Sequence, residues 1–275
     1  FKYQLNGKNI SYNNIIDVDS GFKCLREFKE PTCIILKHTN PCGVASAKNI
    51  DISFTRALKC DEKSAFGGVV LFNRKVNSKL ANKLSKLFFE VIVASDFDKL
   101  ALKKLKEKKH LILLKINKIR YEATDYKSTL FGMLFKKNSS QIIEKSFIKN
   151  VSIKKASKDN IKDLLFSLKV VKHLKSNAIV ISKNRQTIGL GIGQTNRIDS
   201  LKIAISNMKK NFGLKKFVCA SDGFFPFNDS LKILVRNKCE CLGQPNGSIN
   251  DLKIIKYANK NNLPIYFIKS RLFKH

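Results

Sequence analysis

The sequence is poor in several residue types and in long apolar runs. Its 275 residues include no Trp, 2 Met, 5 Pro and 4 His. The longest uninterrupted apolar stretches, such as 111–114 and 179–181, fall far below the ~20 residues that a membrane-spanning helix requires. We therefore expect no transmembrane segment and no membrane partner. Hydrophobic residues still make up 43% of the chain, which excludes a disordered basic tail and indicates a buried core.

The signatures of several enzyme classes are also missing. No H-x-E is followed by P-C-x-x-C, which excludes a zinc deaminase site. Cys239 and Cys241 lack a second Cys or His pair at zinc spacing. A P-loop and the G-x-S-x-G elbow of hydrolases are absent as well. We accordingly expect no protein-bound zinc or other metal ligand set.

Cysteine usage bears on the redox compartment. The chain has 7 Cys, at positions 24, 33, 42, 60, 219, 239 and 241. An odd number in a chain of this length is typical of reduced thiols and not of a disulfide framework. The sequence therefore predicts a cytoplasmic protein.

Acidic residues are scarce, and this imbalance sets the charge. The chain has 21 Asp and Glu against 53 Lys and Arg, for a formal net charge of +32. Only 8 of these cations are Arg, the residue that reads base edges through its bidentate fork. The Lys residues are scattered along the chain, which favours a solvated, compositionally biased surface over specific nucleic-acid readout. An electrostatic footprint for nucleic acid stays open as an alternative.

Short apolar runs separated by helical periodicity indicate the fold class. Seven runs rich in Ile, Val and Phe read as buried strands: 33–36, 69–72, 91–94, 111–116, 178–181, 217–220 and 265–268. Helical patterns lie between them at 76–88, 160–175 and 252–259, the second with Ser157 or Asp159 as its N-cap. The alternation predicts an α/β fold, and a polar break at 136–160 suggests a boundary near residue 150.

Four polar, glycine-containing segments adjoin predicted strands, where ligands of α/β sheets tend to bind. They are 37–43 (KHTNPCG), 64–68 (SAFGG), 175–177 with 187–197 (KSN and TIGLGIGQTNR), and 221–229 (SDGFFPFND). We interpret 183–186 as the turn of a hairpin that leads into the alternating glycines. Surface turns, a packing strand and an apolar plug are the structural alternatives to a functional role.

The residue types in these segments suit particular chemistry. His38 can hold or release a proton near neutral pH. Arg197 follows the glycine-rich strand as a candidate anion clamp. The phenylalanines around Pro226 fit the wall of a pocket for a flat ring, with Asp229 available to a ring amine.

Taken together, the motifs resemble the transformylase domain of the bifunctional formyltransferase/cyclohydrolase family of purine biosynthesis. The matching stretches, in family order, are 7–14 (GKNISYNN), 37–45 (KHTNPCGVA), 64–72 (SAFGGVVLF), 169–180 (KVVKHLKSNAIV), 187–200 (TIGLGIGQTNRIDS), 220–229 (ASDGFFPFND), 244–251 (QPNGSIND) and 271–275 (RLFKH). They cover nearly the whole chain. Any one of them is weak, whereas eight in order are highly specific.

The resemblance implies a fold and a reaction. The family fold is two subdomains of the cytidine-deaminase type, each a three-layer α/β/α unit without zinc, which we expect at residues 1–150 and 151–275. The cyclohydrolase domain of the family is expected to be absent from this chain. The implied reaction moves a formyl group from 10-formyltetrahydrofolate to the 5-amino group of AICAR, the aminoimidazole carboxamide ribonucleotide, giving FAICAR for IMP synthesis. Cyclohydrolase activity is not expected.

The resemblance also implies site residues, position by position. His38 matches the general base of the family. Lys37 matches the cation that stabilises charge on the formyl oxygen or helps the folate nitrogen leave. Asn177 matches the amide that orients the formyl group and the base. The nucleotide-binding positions are Arg197, Arg271, Phe224, Asn40 and His275. The folate-binding positions are Phe66, Gly67, Pro226, Phe227 and Asp229.

The implied ligands and partners complete the expectation. 10-Formyltetrahydrofolate is the co-substrate, AICAR is the acceptor, and a potassium ion is a secondary cofactor candidate. Family members are homodimers with sites at the interface, and no specific nucleic acid is expected. Two alternatives to the enzyme remain open: an inactive truncated remnant, and a basic nucleic-acid-binding protein.

Overall fold

One large mixed sheet carries both halves of the chain, and most of its strands are buried on both faces. The structure, a computed structural model, describes residues 2–117, 124–137 and 142–275. The first half comprises β1 (Gln4–Asn6), α1 (Tyr12–Leu25), β2 (Thr32–Lys37), β3 (Asn40–Ser46), α2 (Ile50–Leu58), α3 (Glu62–Ala65), β4 (Gly68–Phe72), α4 (Ser78–Leu84), β5 (Phe89–Ala94), α5 (Lys99–Lys106) and β6 (Ile112–Lys115). A separate two-stranded hairpin follows, β7 (Thr124–Thr129) and β8 (Gly132–Lys137).

The second half begins with a 3-10 turn at Lys145–Phe147. It continues with β9 (Ile148–Asn150), α6 (Lys158–Val171), β10 (Ile179–Lys183), β11 (Gln186–Gly191), α7 (Arg197–Phe212), β12 (Phe217–Ser221), α8 (Asn228–Arg236), β13 (Cys239–Pro245), α9 (Asp251–Lys260) and β14 (Ile265–Ile268). Apart from the short α3, this is the element order of the first half. Each repeated unit spans a whole half of the chain, so a sequence search for repeats of 20–50 residues does not detect it.

The strand order makes the two halves mirror each other across the middle of the sheet. It runs β1-β6-β5-β4-β2-β3-β11-β10-β12-β13-β14-β9. Strands β4, β5 and β6 are parallel, as are β12, β13 and β14, and the remaining pairs are antiparallel. The halves meet at β3 and β11, where Ala45 pairs with Gln186. The hairpins β2–β3 and β10–β11 therefore lie at the centre of the molecule.

Helices cover both faces of this sheet. Helices α1 and α6 lie over one face, and the apolar core beneath them is continuous from one half to the other. On the opposite face each half has a core of its own, one under α2, α4 and α5 and one under α7, α8 and α9. The expected α/β class with helices on either side of the sheet is confirmed. No helix among the described residues is long and apolar enough to cross a membrane.

The predicted strands all occur, and the helices differ mainly in their ends. The helix predicted over 160–175 runs from Lys158 to Val171, and the side chain of Ser157, not Asp159, caps it by accepting from the Asn160 amide. The helix predicted over 76–88 is the shorter α4, and 252–259 matches α9. The predicted turn at 183–186 is confirmed, since β10 pairs with β11 across it.

The segment 37–43 differs from a plain surface turn. Only His38 and Thr39 form the turn, and Asn40–Ser46 is a strand despite Pro41 and Gly43. The register of β2 against β3 shifts between Ile35 and Leu36, and Leu36 is opposite Pro41. Such an irregularity tolerates a residue that lacks an N–H.

Candidate functional site

The tip of the β2–β3 hairpin presents Lys37 and His38. Both turn residues have positive φ, 52° at His38 and 63° at Thr39. Two consecutive left-handed residues are the mark of a two-residue type I′ hairpin, which joins adjacent strands without splaying them. The imidazole of His38 is exposed at this tip, so a substrate could reach it.

Lys37 points from the end of β2 to the segment after α3. Its Nζ donates to the carbonyl oxygen of Phe66 at 2.8 Å. Gly67 follows with φ 70°, a conformation that L side chains rarely adopt. The Phe66 ring is 63% exposed and lies 5.0 Å from the ring of Phe88. The structure thus brings Lys37, Phe66 and Gly67 together.

A cavity of about 330 Å³ opens beside this turn. It lies between the two halves, with the hairpin tip and the α2–α3 connection on one side and β11 with α7 on the other. Its lining includes Lys37, His38, Asn40, Asp61, Ser64 and Asn207. The carboxylate of Asp61 accepts from the backbone amide of Ser64 at 3.0 Å and from its hydroxyl at 2.6 Å. Asp61 and Asn207 are lining residues that the sequence motifs did not single out.

Asn40 joins the hairpin tip to the second half. Its Oδ1 accepts from the backbone amide of Lys175 at 2.9 Å, and its Nδ2 donates to the His38 carbonyl at 3.0 Å. The segment that begins at Lys175 leads directly to Asn177. The first-half turn is therefore fixed against the second-half segment that carries the other predicted catalytic residue.

Asn177 and Arg197 lie in direct contact. Nη2 of Arg197 donates to Oδ1 of Asn177 at 2.7 Å. The Asn177 amide nitrogen donates to the carbonyl oxygens of Gln194 and Thr195 at 2.9 and 3.1 Å, which fixes the orientation of the side chain. Arg197 itself begins α7 immediately after the glycine-rich strand and its loop.

Asp222 balances the charge of Arg197. The same Nη2 lies 2.9 Å from Oδ1 of Asp222, whose side chain is fully buried. Gly223 packs against the guanidinium so closely that a Cβ there would collide with it. In this segment the sequence motif pointed to Asp229, and Asp222 was not among the predicted site residues. The position of Asp222 directly after β12 and before a glycine was the available signal.

Aromatic and cationic side chains of the C-terminal segment stack beside this pair. The guanidinium of Arg271 lies 5.3 Å from the Phe224 ring and 5.9 Å from the Phe273 ring. The guanidinium of Arg197 lies 5.8 Å from the Phe273 ring, and the His275 ring also lies 5.8 Å from the Phe273 ring. The structure thus brings together Arg197, Arg271, Phe224 and His275. Phe273, which links them, was not among the predicted site residues.

The remaining predicted folate residues lie at the start of α8. Phe227 is 63% exposed, and the Asp229 carboxylate accepts from the adjacent Ser230 amide at 2.9 Å. The Pro226 carbonyl accepts from the Asn250 side chain at 2.9 Å. The described contacts of these three residues do not reach the cavity beside His38. Phe225, in contrast, is fully buried in the apolar core of the second half, under α7, α8 and α9.

The assembled groups favour anionic and flat ligands. Two guanidinium groups and one ammonium group supply positive charge, and exposed or half-buried Phe rings supply flat apolar surface. The exposed imidazole of His38 offers a ring nitrogen that can accept a hydrogen bond from a bound amine. No cluster of three or more His, Cys, Asp or Glu in the described part of the chain could hold a metal ion.

Comparison with known proteins identifies relatives of this chain. The sequence model of the AICARFT/IMPCHase bienzyme family matches residues 2–207. The bifunctional purine biosynthesis protein PurH of Caldicellulosiruptor saccharolyticus is 44% identical over 276 residues, which are 99% of this chain and 53% of that protein.

Two further relatives carry the same description. PurH of Buchnera aphidicola subsp. Baizongia pistaciae is 44% identical over 278 residues, covering 99% of this chain and 52% of that protein. PurH of Aquifex aeolicus is 42% identical over 273 residues, covering 98% and 53%. The chain spans about half the length of the curated relatives it matches.

Proposed function

We propose, since the chain belongs to the AICARFT/IMPCHase bienzyme family, that it is the part of such an enzyme that performs formyl transfer. The reaction takes the formyl group of 10-formyltetrahydrofolate to the 5-amino group of AICAR and yields FAICAR on the route to IMP. Family membership does not favour the alternative of a nucleic-acid-binding protein. The observation that supports the proposal is the Asn40–Lys175 hydrogen bond, which joins the turn that follows Lys37 to the segment that leads to Asn177.

His38 is proposed as the general base. The amine of AICAR is a weak nucleophile because its lone pair is delocalised into the imidazole ring, so its proton must leave as it attacks the formyl carbon. A positioned base contributes about 10²–10⁴-fold to such a step. Lys37 would stabilise the negative charge that develops on the formyl oxygen. Asn177, held by three hydrogen bonds, would orient the reacting groups.

The nucleotide is proposed to bind along the C-terminal segment. Arg197 and Arg271 offer guanidinium donors to a phosphate, and Phe224 with His275 offers flat surface to the AICAR ring. The stacking of Arg271 over Phe224 supports this placement. Asn40 completes the proposed set at the hairpin tip.

Folate is proposed to contact Phe66, Gly67, Pro226, Phe227 and Asp229. The chain is proposed to act as a homodimer. The exposed rings of Phe66 and Phe227 support the role of these segments in binding a ligand. The β7–β8 hairpin supports the dimer, because a lone two-stranded hairpin is marginally stable in water and this one also exposes apolar side chains. Leu130 is 99% exposed and Phe131 is 100% exposed.

A potassium ion remains a candidate cofactor. Oδ2 of Asp222 is buried and has no hydrogen-bond partner among the described residues. A carboxylate oxygen of this kind fits a hard cation. Asp222 would supply an anionic ligand to such an ion through Oδ2, the oxygen that does not bind Arg197.

We further propose that the two halves are subdomains of the cytidine-deaminase type. The repeated element order supports this division. Strand β9 pairs with β14 as β1 pairs with β6, so the boundary proposed from the structure lies before Ile148, slightly earlier than residue 150.

A cytoplasmic location is proposed from the seven free cysteines, of which five are buried. Burial raises the pKa of the Cys60 thiol to about 12, which keeps that thiol protonated.

Direct assay of formyl transfer tests the proposed function. AICAR and 10-formyltetrahydrofolate are supplied to the chain alone and to the chain joined to the preceding half of a PurH relative. FAICAR and IMP are measured together, because a cyclohydrolase in the joined half would convert FAICAR to IMP. Product from either form supports formyl transfer. Product from the joined form alone supports a chain that needs the other half of the enzyme for activity. The absence of product from both forms supports an inactive remnant. Binding to duplex DNA that falls steeply with salt would support the nucleic-acid alternative.

A further inference from the structure

Two opposite charges hold the backbone of Thr39, the residue directly after His38. The Thr39 amide donates to Oδ1 of Asp17 at 2.6 Å, and its carbonyl oxygen accepts from Nζ of Lys274 at 2.9 Å. The hydroxyl of Ser20 donates to the same carbonyl at 2.8 Å. Asp17 and Ser20 are three residues apart on α1, so both lie on the side of the helix that faces the hairpin tip.

The tip needs such support because of its backbone conformation. His38 and Thr39 are not glycines, yet both have left-handed φ values, which persist only where the surroundings fix them. The orientation of the His38 ring depends on this conformation, since the ring is exposed and is attached to the first residue of the turn.

The second half contains an internal comparison. Its β10–β11 turn also has two left-handed residues, Asn184 at 51° and Arg185 at 56°. The carboxylate of Asp163, on α6, accepts from both amides at 2.8 and 2.7 Å. A helix carboxylate that holds the turn is therefore common to both halves. A lysine bound to the turn carbonyl is found at the His38 turn, whereas the Arg185 carbonyl accepts from the backbone of Ser46.

The side chain of Lys274 is fixed beside the hairpin tip by hydrogen bonds. Its ammonium donates to Ser20 Oγ at 2.9 Å, to Thr39 O at 2.9 Å and to His173 O at 3.1 Å, which uses all three of its N–H groups. Ser176 fixes the Lys274 backbone, accepting from its amide at 3.2 Å and donating to its carbonyl at 3.0 Å. Burial lowers the pKa of Lys274.

The C-terminal segment alternates between two directions. Leu272 is buried and Lys274 reaches to the hairpin tip, whereas Arg271, Phe273 and His275 stack with one another on the other side. One short extended segment thus carries the proposed nucleotide contacts and also holds the turn of the proposed base.

We propose that Asp17 and Lys274 are positioning residues for His38, and that the C-terminal segment couples nucleotide binding to the orientation of that base. The inference deepens the proposed formyl transfer and rests on it for its catalytic consequence. Neither side chain needs to touch a substrate. Their effect passes through the backbone of Thr39.

Histidine-ring NMR of the full chain, combined with kinetics, tests the proposal. The chain has only 4 His, so the His38 ring can be assigned by comparison with His38→Gln. The test variants are Lys274→Met and Asp17→Ala, which remove the donor and the acceptor of the Thr39 contacts. Asp163→Ala removes the corresponding helix carboxylate in the other half, and Lys256→Met removes an exposed lysine of α9, so these two serve as matched controls. Lys274→Arg restores a cation with several N–H donors.

The expected result is a shift of the His38 ring signals in both test variants and not in the controls. The kcat for formyl transfer should fall about 10- to 100-fold, with a smaller change in the KM for AICAR, because small misplacements of a catalytic group are costly. The double variant should be no worse than the more damaged single variant, and Lys274→Arg should recover part of the rate.

Unmoved His38 signals together with kcat within about twofold of the parent in the two test variants overturn the proposal. If Lys274→Met does not fold, Asp17→Ala decides by the same two readouts. If the parent shows no formyl transfer, the proposed function fails, and the NMR shifts alone then decide whether the two residues position His38.

Discussion

Nη2 of Arg197 lies 2.7 Å from Oδ1 of Asn177 and so joins a proposed nucleotide-binding residue to a proposed catalytic one. The same nitrogen lies 2.9 Å from the buried carboxylate of Asp222. One guanidinium therefore holds the side-chain amide of Asn177 and neutralises the buried carboxylate of Asp222. Substitutions at these positions should affect rate and stability in separable ways.

Removal of Asn177 should reduce catalysis more than stability. In Asn177→Ala the amide that is proposed to orient the reacting groups is lost, and the loss of one such fixed polar group costs about 10²–10³-fold in kcat. Steady-state kinetics with both substrates varied measures it. Asn246→Ala, at an exposed asparagine, is the matched control and should match the parent. A rate for Asn177→Ala equal to that of the control would exclude the orienting role.

Removal of Arg197 should destabilise the fold. Arg197→Met leaves the Asp222 carboxylate buried and unpaired, which costs about 3–5 kcal/mol in the free energy of unfolding. The double variant Arg197→Met with Asp222→Asn should recover part of this loss, because the buried charge is then gone. Urea denaturation followed by circular dichroism measures both. Equal losses in the single and double variants would contradict the charge-balancing role of the pair.

Acid should destabilise the chain through His173. Burial lowers the pKa of His173 below its ordinary value of about 6.5 and outweighs its hydrogen bond with Glu27. The folded state thus binds fewer protons at this ring than the unfolded chain does. The stability that it contributes is present above about pH 6.5 and is lost as the pH falls through that value toward the lower folded pKa.

The free energy of unfolding, measured at several pH values between about 7.5 and 5, tests this dependence. His173→Gln should show a shallower slope than the parent, whereas His110→Gln, at an exposed histidine, should keep the parent slope. Glu27 titrates in a lower window: burial alone would raise its pKa, but hydrogen bonds from His173 and Lys172 hold it below its ordinary value. A parental slope in His173→Gln would show that this ring does not govern the acid response.

The tip of the β7–β8 hairpin should govern self-association. Leu130 and Phe131 are almost fully exposed, so replacing both with Asp should leave the stability of one chain unchanged within about 0.5 kcal/mol. In a homodimer the two charges would enter the interface and weaken it. Sedimentation velocity compares the variant with the parent and with Ile249→Asp, an exposed apolar site elsewhere. A dimer that survives in the hairpin variant would place the interface on another surface.

The sequence predicted the buried strands well because their apolar runs are dictated by burial on both faces. Strands with mixed composition were missed, as β3 was, since Pro41 and Gly43 indicate a turn in isolation. The helix α1 was missed because it contains Gly21 and because residues 13–18, NNIIDV, are all β-branched or polar. The internal repeat is visible only in the order of helices and strands along the two halves, and amino-acid composition does not reveal that order.

The site could be predicted only where residue chemistry or a motif marks it. Lys37, His38, Asn177 and Arg197 belong to motifs, and the structure brings them into one connected group. Asp17 lies on a helix distant in sequence from the turn that it holds. Contacts of this kind depend on the packing of α1 against the hairpin, which no local pattern encodes.

Formyl transfer by His38→Ala is the most direct test of the proposed mechanism. His38 is exposed at the hairpin tip, so the substitution should leave the free energy of unfolding close to that of the parent. With AICAR and 10-formyltetrahydrofolate at saturation, kcat should fall about 10²–10⁴-fold because the base is lost. His110→Ala, at another exposed histidine, should keep the parent kcat. An active parent and an unchanged kcat in His38→Ala would contradict the assignment of His38 as the base.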